Sequence, residues 1–314
     1  MKTQHLTGLL LASTACAQKT KEHSDEFNCT HWMLGSPKSR TTSVARALCH
    51  ALQKEGNTSC IHEPIRVRHE MNLLGYESKI VPYHSKETTF CKDMLFHTHK
   101  TAVHRKKIEQ AIKASENAIV LLKNDPVQSF LSMVDLRFKE LEQRYNNVKP
   151  LLNGKHLVDQ FCVQALDELA GIASGNSVAY STTKAFAQHH NKTVVELKDE
   201  NFSKNATAEI NKALASWKKK LASESQALKM APNLYVDRVN TGSKNNFTNS
   251  YQHAMTDLWD TSHGQVFDPS IRKQSRDEKL QSLMDKHVAG DTQAYFKTRM
   301  ESYFQQIEKI HCGS

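Results

Sequence analysis

The chain has 314 residues, with 42 Lys and Arg against 33 Asp and Glu, giving a formal charge of +9. Hydrophobic residues make up 39% and charged residues 24%, which excludes a disordered, collagen-like or polytopic membrane chain. The 7 Pro and 11 Gly leave little material for linkers and favour one compact domain, and the positive balance suits an anionic partner such as a phosphorylated cofactor, an acidic glycan or an acidic peptide.

At the N-terminus, Lys2 and His5 precede an apolar run beginning at Leu6, and Ala15-Cys16-Ala17 fits a small-residue cleavage site. This is the layout of a secretory signal peptide over residues 1–17, leaving residues 18–314 as a single α/β domain. The run is too short for a permanent membrane span. Removing it leaves Cys29, Cys49, Cys60, Cys91, Cys162 and Cys312, an even set that suits disulfides in an oxidising lumen, with the pairing open. N-x-[ST] sequons begin at Asn28, Asn57, Asn191, Asn201, Asn205 and Asn246. Together these features predict a glycoprotein of the secretory pathway, in the Golgi lumen or secreted.

Residues 18–26 are polar, and residues 27–34 read as a buried strand leading into the turn Gly35-Ser36-Pro37-Lys38-Ser39 and a helix over 41–52. A second short strand is expected over 58–62, whereas residues 65–95 give mixed loop signals and no element is assigned there. Residues 101–114 have helical periodicity, with Val103, Ile108, Ala111 and Ile112 on one face. The apolar run at 117–122 is the candidate for a central parallel strand, and Pro126 stands where the helix over 127–145 can start. A helix over 180–190, a strand over 193–197 and a strong helix over 206–222 follow. Residues 232–261, rich in Asn, Ser, Thr and Gly, read as a long functional loop, and residues 271–310 as two amphipathic helices broken near Gly290. Alternating strands and helices predict a parallel sheet flanked by helices, with additional C-terminal helices and the site at the carboxyl ends of the strands.

The segment Leu34-Gly35-Ser36-Pro37-Lys38-Ser39-Arg40-Thr41-Thr42 leaves a strand and opens a helix. Such a turn aims backbone N–H groups and a helix N-terminus at one point, which suits a phosphate. It departs from G-x-x-x-x-G-K-[ST], because Lys precedes Ser and Arg40 stands where a glycine is expected. With its Pro-Lys-Ser-x-Thr-Thr pattern, the segment resembles the 5′-phosphosulfate loop of sulfotransferases that use 3′-phosphoadenosine-5′-phosphosulfate (PAPS). A second match is Lys123-Asn124-Asp125-Pro126 at a strand end, with Ser132 at the spacing of that family's 3′-phosphate site. Here Asn124 takes the position of the family's phosphate-binding Arg; Lys123, Arg238 or Lys244 is the candidate compensating cation. The late loop around Arg238, Gly242 and Lys244 fits either closure over the cofactor or a glycosylated surface loop, since Asn246 opens a sequon.

The resemblance implies a P-loop-type α/β fold and transfer of a sulfuryl group from PAPS to a hydroxyl acceptor: a glycan, a tyrosine or a small molecule. It implies cofactor binding by Lys38, Ser39, Arg40, Thr41, Thr42, Lys123, Asn124, Ser132, Arg238 and Lys244, with Lys38 also catalytic at the leaving phosphate. Glu63, after the first helix, and His99, in His97-Thr98-His99, are the two candidates for the base. The mechanism requires no metal and implies no nucleic-acid partner. Asn124 motivates an alternative, a non-catalytic binding protein on the same fold. A nucleotide-dependent kinase is the weaker alternative, given the missing G-K-[ST].

Overall fold

The computed structural model describes residues 29–36, 41–56, 58–62, 65, 88–95, 102–116, 118–123, 125–145, 149–229, 235–236 and 274–313. Its centre is a six-stranded sheet in which every paired strand is parallel. The strands are β1 (His31–Gly35), β2 (Thr58–His62), β3 (Thr88–Met94), β4 (Ala118–Lys123), β5 (Thr193–Lys198) and β6 (Tyr235–Val236), in the order β5-β4-β1-β3-β2-β6. The helices are α1 (Thr41–Glu55), α2 (Ala102–Ala114), α3 (Pro126–Arg144), α4 (Lys155–Phe161), α5 (Asp167–His189), α6 (Asp199–Ser216), α7 (Glu224–Ala227), α8 (Arg276–His287) and α9 (Gln293–Gly313). One π turn, Cys162–Leu166, joins α4 to α5.

The apolar run at 117–122 becomes β4 because both of its faces are covered. Ala118, Val120 and Leu122 pack with Met33 and Phe90 under α1 and α6, while Ile119 and Leu121 pack with Trp32 and Leu34 against α2 and α5. Parallel strands buried on both sides need no polar alternation, and this one has none. A third apolar cluster joins α3, α4, α5, α8 and α9 through Phe130, Phe138, Phe161, Leu283, Phe296 and Phe304. The C-terminal helices therefore extend the core beside the sheet.

Three expectations need correction. The unassigned segment 65–95 contains β3, the strand that separates β1 from β2 in the sheet. Its polar end hides it: Lys92 and Asp93 are wholly enclosed, an arrangement a hydrophobicity pattern does not anticipate. Burial is tolerable because the Asp93 carboxylate accepts from the Ile65 N–H at 2.7 Å and the Met94 N–H at 2.8 Å. Next, the helix predicted over 206–222 ends at Ser216. Trp217, 3% exposed, donates its indole N–H to the Ala118 carbonyl, and Lys218 then turns left-handed at φ 55°. The chain also departs from helical geometry at Asn205, whose side chain accepts from the Ala208 N–H, so the earlier half from Asp199 joins across a kink. Finally, disulfides join Cys29 to Cys91 and Cys49 to Cys60, but Cys162 is free and buried at the π turn.

His31 opens β1 at 3% exposure, and its ring stacks on Trp217 with centroids 4.8 Å apart. Burial, and secondarily the charge of Lys219, lowers its pKa from 6.5 to about 4. The unfolded chain therefore takes up the proton first, so this contribution is complete above pH 6.5 and is lost as pH falls towards 4. Between pH 7 and pH 5 the loss amounts to about 2 kcal/mol. His31→Phe keeps a planar ring against Trp217 and should remove that part of the acid sensitivity. Urea unfolding at the two pH values measures it; an undiminished difference in the variant would place the sensitivity elsewhere.

Candidate functional site

At the carboxyl edge of the sheet, β1 and β4 lie side by side in register, Leu34 beside Leu121 and Gly35 beside Leu122. The chain leaves β1 at Gly35 and Ser36, and α1 begins at Thr41, which is 4% exposed. The reversal is tight. A Cβ on Gly35 would stand 2.3 Å from Thr41 Cγ2 and 3.2 Å from Leu122 Cβ, so this position requires glycine for close approach. Gly35→Ala should cost about 1–3 kcal/mol through overpacking. Thr41→Ser removes the clashing methyl and should recover part of that loss in the double variant, as read by urea unfolding. No acidic residue occupies the first turn of α1, so the partial positive charge of its N-terminus is not offset from within the helix.

β4 ends in half-buried Lys123, and Asp125 then caps α3, accepting from the Val127 N–H at 2.8 Å and the Gln128 N–H at 3.3 Å. Pro126, at the first helical position, completes a local start signal that explains the Asp-Pro pair in structural terms alone. Ser132 lies in the second turn of α3. Its hydroxyl donates to the Gln128 carbonyl at 2.9 Å and accepts from the Lys279 ammonium on α8. That cation, supplied from the far end of the chain, was not among the candidate compensating groups.

A cleft of about 370 Å³ opens between this edge and α5. Ser36 and Lys123 line one side, and α5 lines the other with Asn176, Ser177, Tyr180 and Lys184. These α5 positions recur at helical spacing and form a polar stripe turned inward, the reverse of an ordinary amphipathic helix. Asn176 is 3% exposed, and neither its Oδ1 nor its Nδ2 has a hydrogen-bond partner among the described residues. Tyr180 donates its hydroxyl to Glu196 at 2.7 Å, and Lys184 donates to the other carboxylate oxygen. Burial would raise the Glu196 pKa, but the Lys184 and Tyr180 hydrogen bonds, with the charges of Lys184 and Lys123, outweigh it and hold the group below its ordinary value. The Tyr180 pKa is raised, first by burial and then by its bond to Glu196. At the rim, His311 of α9 meets the Ser177 hydroxyl at 3.2 Å.

Of the residues singled out from sequence, the structure brings Thr41, Thr42 and Lys123 to one edge of the sheet. Ser132 is close by in α3 but is not among the described residues lining the cleft. Lys38, Ser39, Arg40, Glu63, His99, Asn124, Arg238 and Lys244 lie outside the described residues. Asn176, Tyr180, Lys184 and Glu196 escaped the sequence reading. The polar positions of residues 173–188 at helical spacing carry the signal that could have found most of them. No group of three potential metal ligands occurs among the described residues, and no described helix is long and apolar enough to cross a membrane.

No family model matches the chain, and no curated protein matches it. Among solved structures it is similar to mouse sulfotransferase SULT7A1 complexed with PAP, at 14% identity and a TM-score of 0.40, over 88% of this chain and 89% of that one. Identity and overlap of that size leave the function to be read from the site itself.

Proposed function

We propose that the chain is a PAPS-dependent sulfotransferase of the secretory pathway, acting on a hydroxyl acceptor. One observation carries the reading. Two motifs far apart in sequence, the loop after Gly35 and the Lys123-to-Pro126 strand end, leave neighbouring parallel strands at the same edge of the sheet. The surroundings fit an anionic donor: the first turn of α1 holds no acid, Gly35 permits close backbone approach, and Lys123 lines the cleft. Lys279 supplies an ammonium at Ser132, where Asn124 supplies no charge.

PAPS supplies the sulfuryl group; the chain's own residues position it and handle charge and proton. Lys38 neutralises the charge that develops on the leaving 5′ phosphate, with Ser39, Arg40, Thr41 and Thr42 as further donors. Lys123, Asn124 and Ser132 hold the 3′ phosphate, with Arg238 and Lys244 closing over it. Glu63 or His99 takes the acceptor hydroxyl's proton as its oxygen bonds to sulfur and the bond from sulfur to the phosphate oxygen breaks. The test is a thermal-shift titration with adenosine 3′,5′-bisphosphate beside ATP–Mg²⁺ and AMP. A ligand confined to the native state adds about 2.7 kcal/mol of stability at a hundredfold excess over Kd. Stabilisation by the bisphosphate alone supports the reading; stabilisation by ATP–Mg²⁺ alone would replace it with a kinase.

Asn124 favours a second reading, a sulfotransferase-like binding protein. It predicts bisphosphate binding without turnover across phenol, sugar and tyrosine-peptide acceptors.

The two disulfides are compatible with a secretory or luminal location, and cleavage after Ala17 and glycosylation belong to the same proposal. Among the sequons with described asparagines, Asn191 is exposed in the turn between α5 and β5 at φ 56°. The Asn201 amide donates to Glu209, and the Asn205 side chain accepts from Ala208. Glycan occupancy should therefore be highest at Asn191, as peptide mapping of protein from a eukaryotic secretory host would measure.

A further inference from the structure

Resting on the transferase reading, we propose that Lys279 of α8 binds the donor's 3′ phosphate, and that through it the protein tells a 3′-phosphorylated nucleotide from one lacking that group. The C-terminal helices then form part of the donor site as well as part of the core. Two helices distant in sequence build the contact: Ser132 lies in the second turn of α3, and Lys279 lies near the start of α8, 147 residues later. The Ser132 hydroxyl donates to the Gln128 carbonyl at 2.9 Å, which leaves its lone pairs to the Lys279 ammonium at 2.5 Å.

The backbone that delivers this cation is anchored. Just before α8, the Gln274 carbonyl accepts from the Gln128 side-chain amide at 3.3 Å, and Ser275 and Glu278 close a capping box. Leu280, Leu283 and Met284 then sink into the apolar cluster that holds Phe130 of α3. A side chain carried on fixed backbone loses less freedom when a ligand arrives. The charge answers a deficit, because Ser132 is neutral and Asn124 stands where the resembled motif has arginine. An ammonium is a compact point charge suited to phosphate, with three N–H donors of which Ser132 takes one. Nearby acids have partners of their own: Asp135 accepts from Lys139 at 2.8 Å, and Glu278 accepts from the Ser275 N–H at 2.8 Å. Lys123, at the end of the strand that leads into α3, adds a second positive charge. The competing role for Lys279 is a staple between α3 and α8, which predicts a loss common to every nucleotide.

Calorimetric titration of the mature protein with PAPS and with adenosine 5′-phosphosulfate, which differs only in lacking the 3′ phosphate, tests the inference. The proteins are wild type, Lys279→Gln and Lys279→Met, the last keeping an apolar stem against α3. Ser132 keeps its bond to the Gln128 carbonyl in both variants, so each should fold, as urea unfolding without ligand verifies. Wild type should bind PAPS at least about tenfold tighter than adenosine 5′-phosphosulfate. Both variants should lose at least about tenfold on PAPS, the cost of removing a charged hydrogen-bond donor from a phosphate. Their affinity for adenosine 5′-phosphosulfate should remain within about twofold of wild type. Undiminished PAPS binding in the variants would overturn the role of Lys279 while leaving the transferase reading in place. Equal losses on both nucleotides would reduce Lys279 to a staple, and wild type that does not distinguish the two would also overturn the proposal. Wild type that binds neither nucleotide overturns the transferase reading and the role of Lys279 with it.

Discussion

Replacing Lys38 with Ala should abolish sulfuryl transfer while leaving the fold intact. Negative charge builds on the bridging and terminal oxygens of the leaving 5′ phosphate as its bond to sulfur lengthens. A cation fixed beside them stabilises that state more than the ground state, and only such a difference raises the rate. Loss of one preorganised donor at a developing oxyanion typically costs 10²–10³ in turnover, so a fall of at least about a hundredfold is expected. Lys38 is a charged residue of the connection between β1 and α1, so the urea midpoint should stay at the wild-type value. Turnover is to be measured with PAPS and an acceptor from the phenol, sugar and tyrosine-peptide panel, beside the unfolding curve. Full activity in a folded Lys38→Ala protein would sink the assignment. Lys38→Arg keeps the charge but changes its shape and should restore part of the rate.

The second large effect concerns stability. The Cys29–Cys91 bridge spans a sequence separation of 62, and the Cys49–Cys60 bridge one of 11. Chain entropy of the unfolded state makes the longer loop the more stabilising, at about 4 kcal/mol against about 3 kcal/mol. The longer bridge also ties the lead-in to β1 to β3, across the pair of strands that carries the sheet's centre. A Cys29→Ala/Cys91→Ala protein should therefore lose more stability in non-reducing urea unfolding than Cys49→Ala/Cys60→Ala. The opposite order would show that native-state packing around the sulfurs, rather than loop entropy, dominates.

Much of the sheet was legible residue by residue. The continuous apolar run at 117–122 pointed to a strand buried on both faces, as in the centre of a parallel sheet covered by helices, and β4 is that strand. Asp125 and Pro126 announced the start of α3 because capping is a local interaction between neighbours. The helix predicted from residue 206 coincides with the Asn205 cap, again a local feature. The misses share a different character. Near its end β3 carries a lysine and an aspartate that read as surface until the fold supplies Asp93 with the Ile65 N–H from the connection after β2. The end of α6 was misplaced because Trp217 is held by Ala118 and stacked on His31, both distant in sequence.

The sequence by itself determined the α/β class, the parallel arrangement and the glycine at which the chain leaves the first strand. Those properties follow from side-chain periodicity, capping and turn chemistry within a few residues. Tertiary structure alone decided which strands are neighbours, that Cys162 is left out of the bridges, that Lys279 reaches Ser132, and that Asn176, Tyr180 and Lys184 of α5 turn inward to meet Glu196. Each of these depends on groups brought together by sheet order and helix packing, and long-range proximity leaves no periodic trace in the chain.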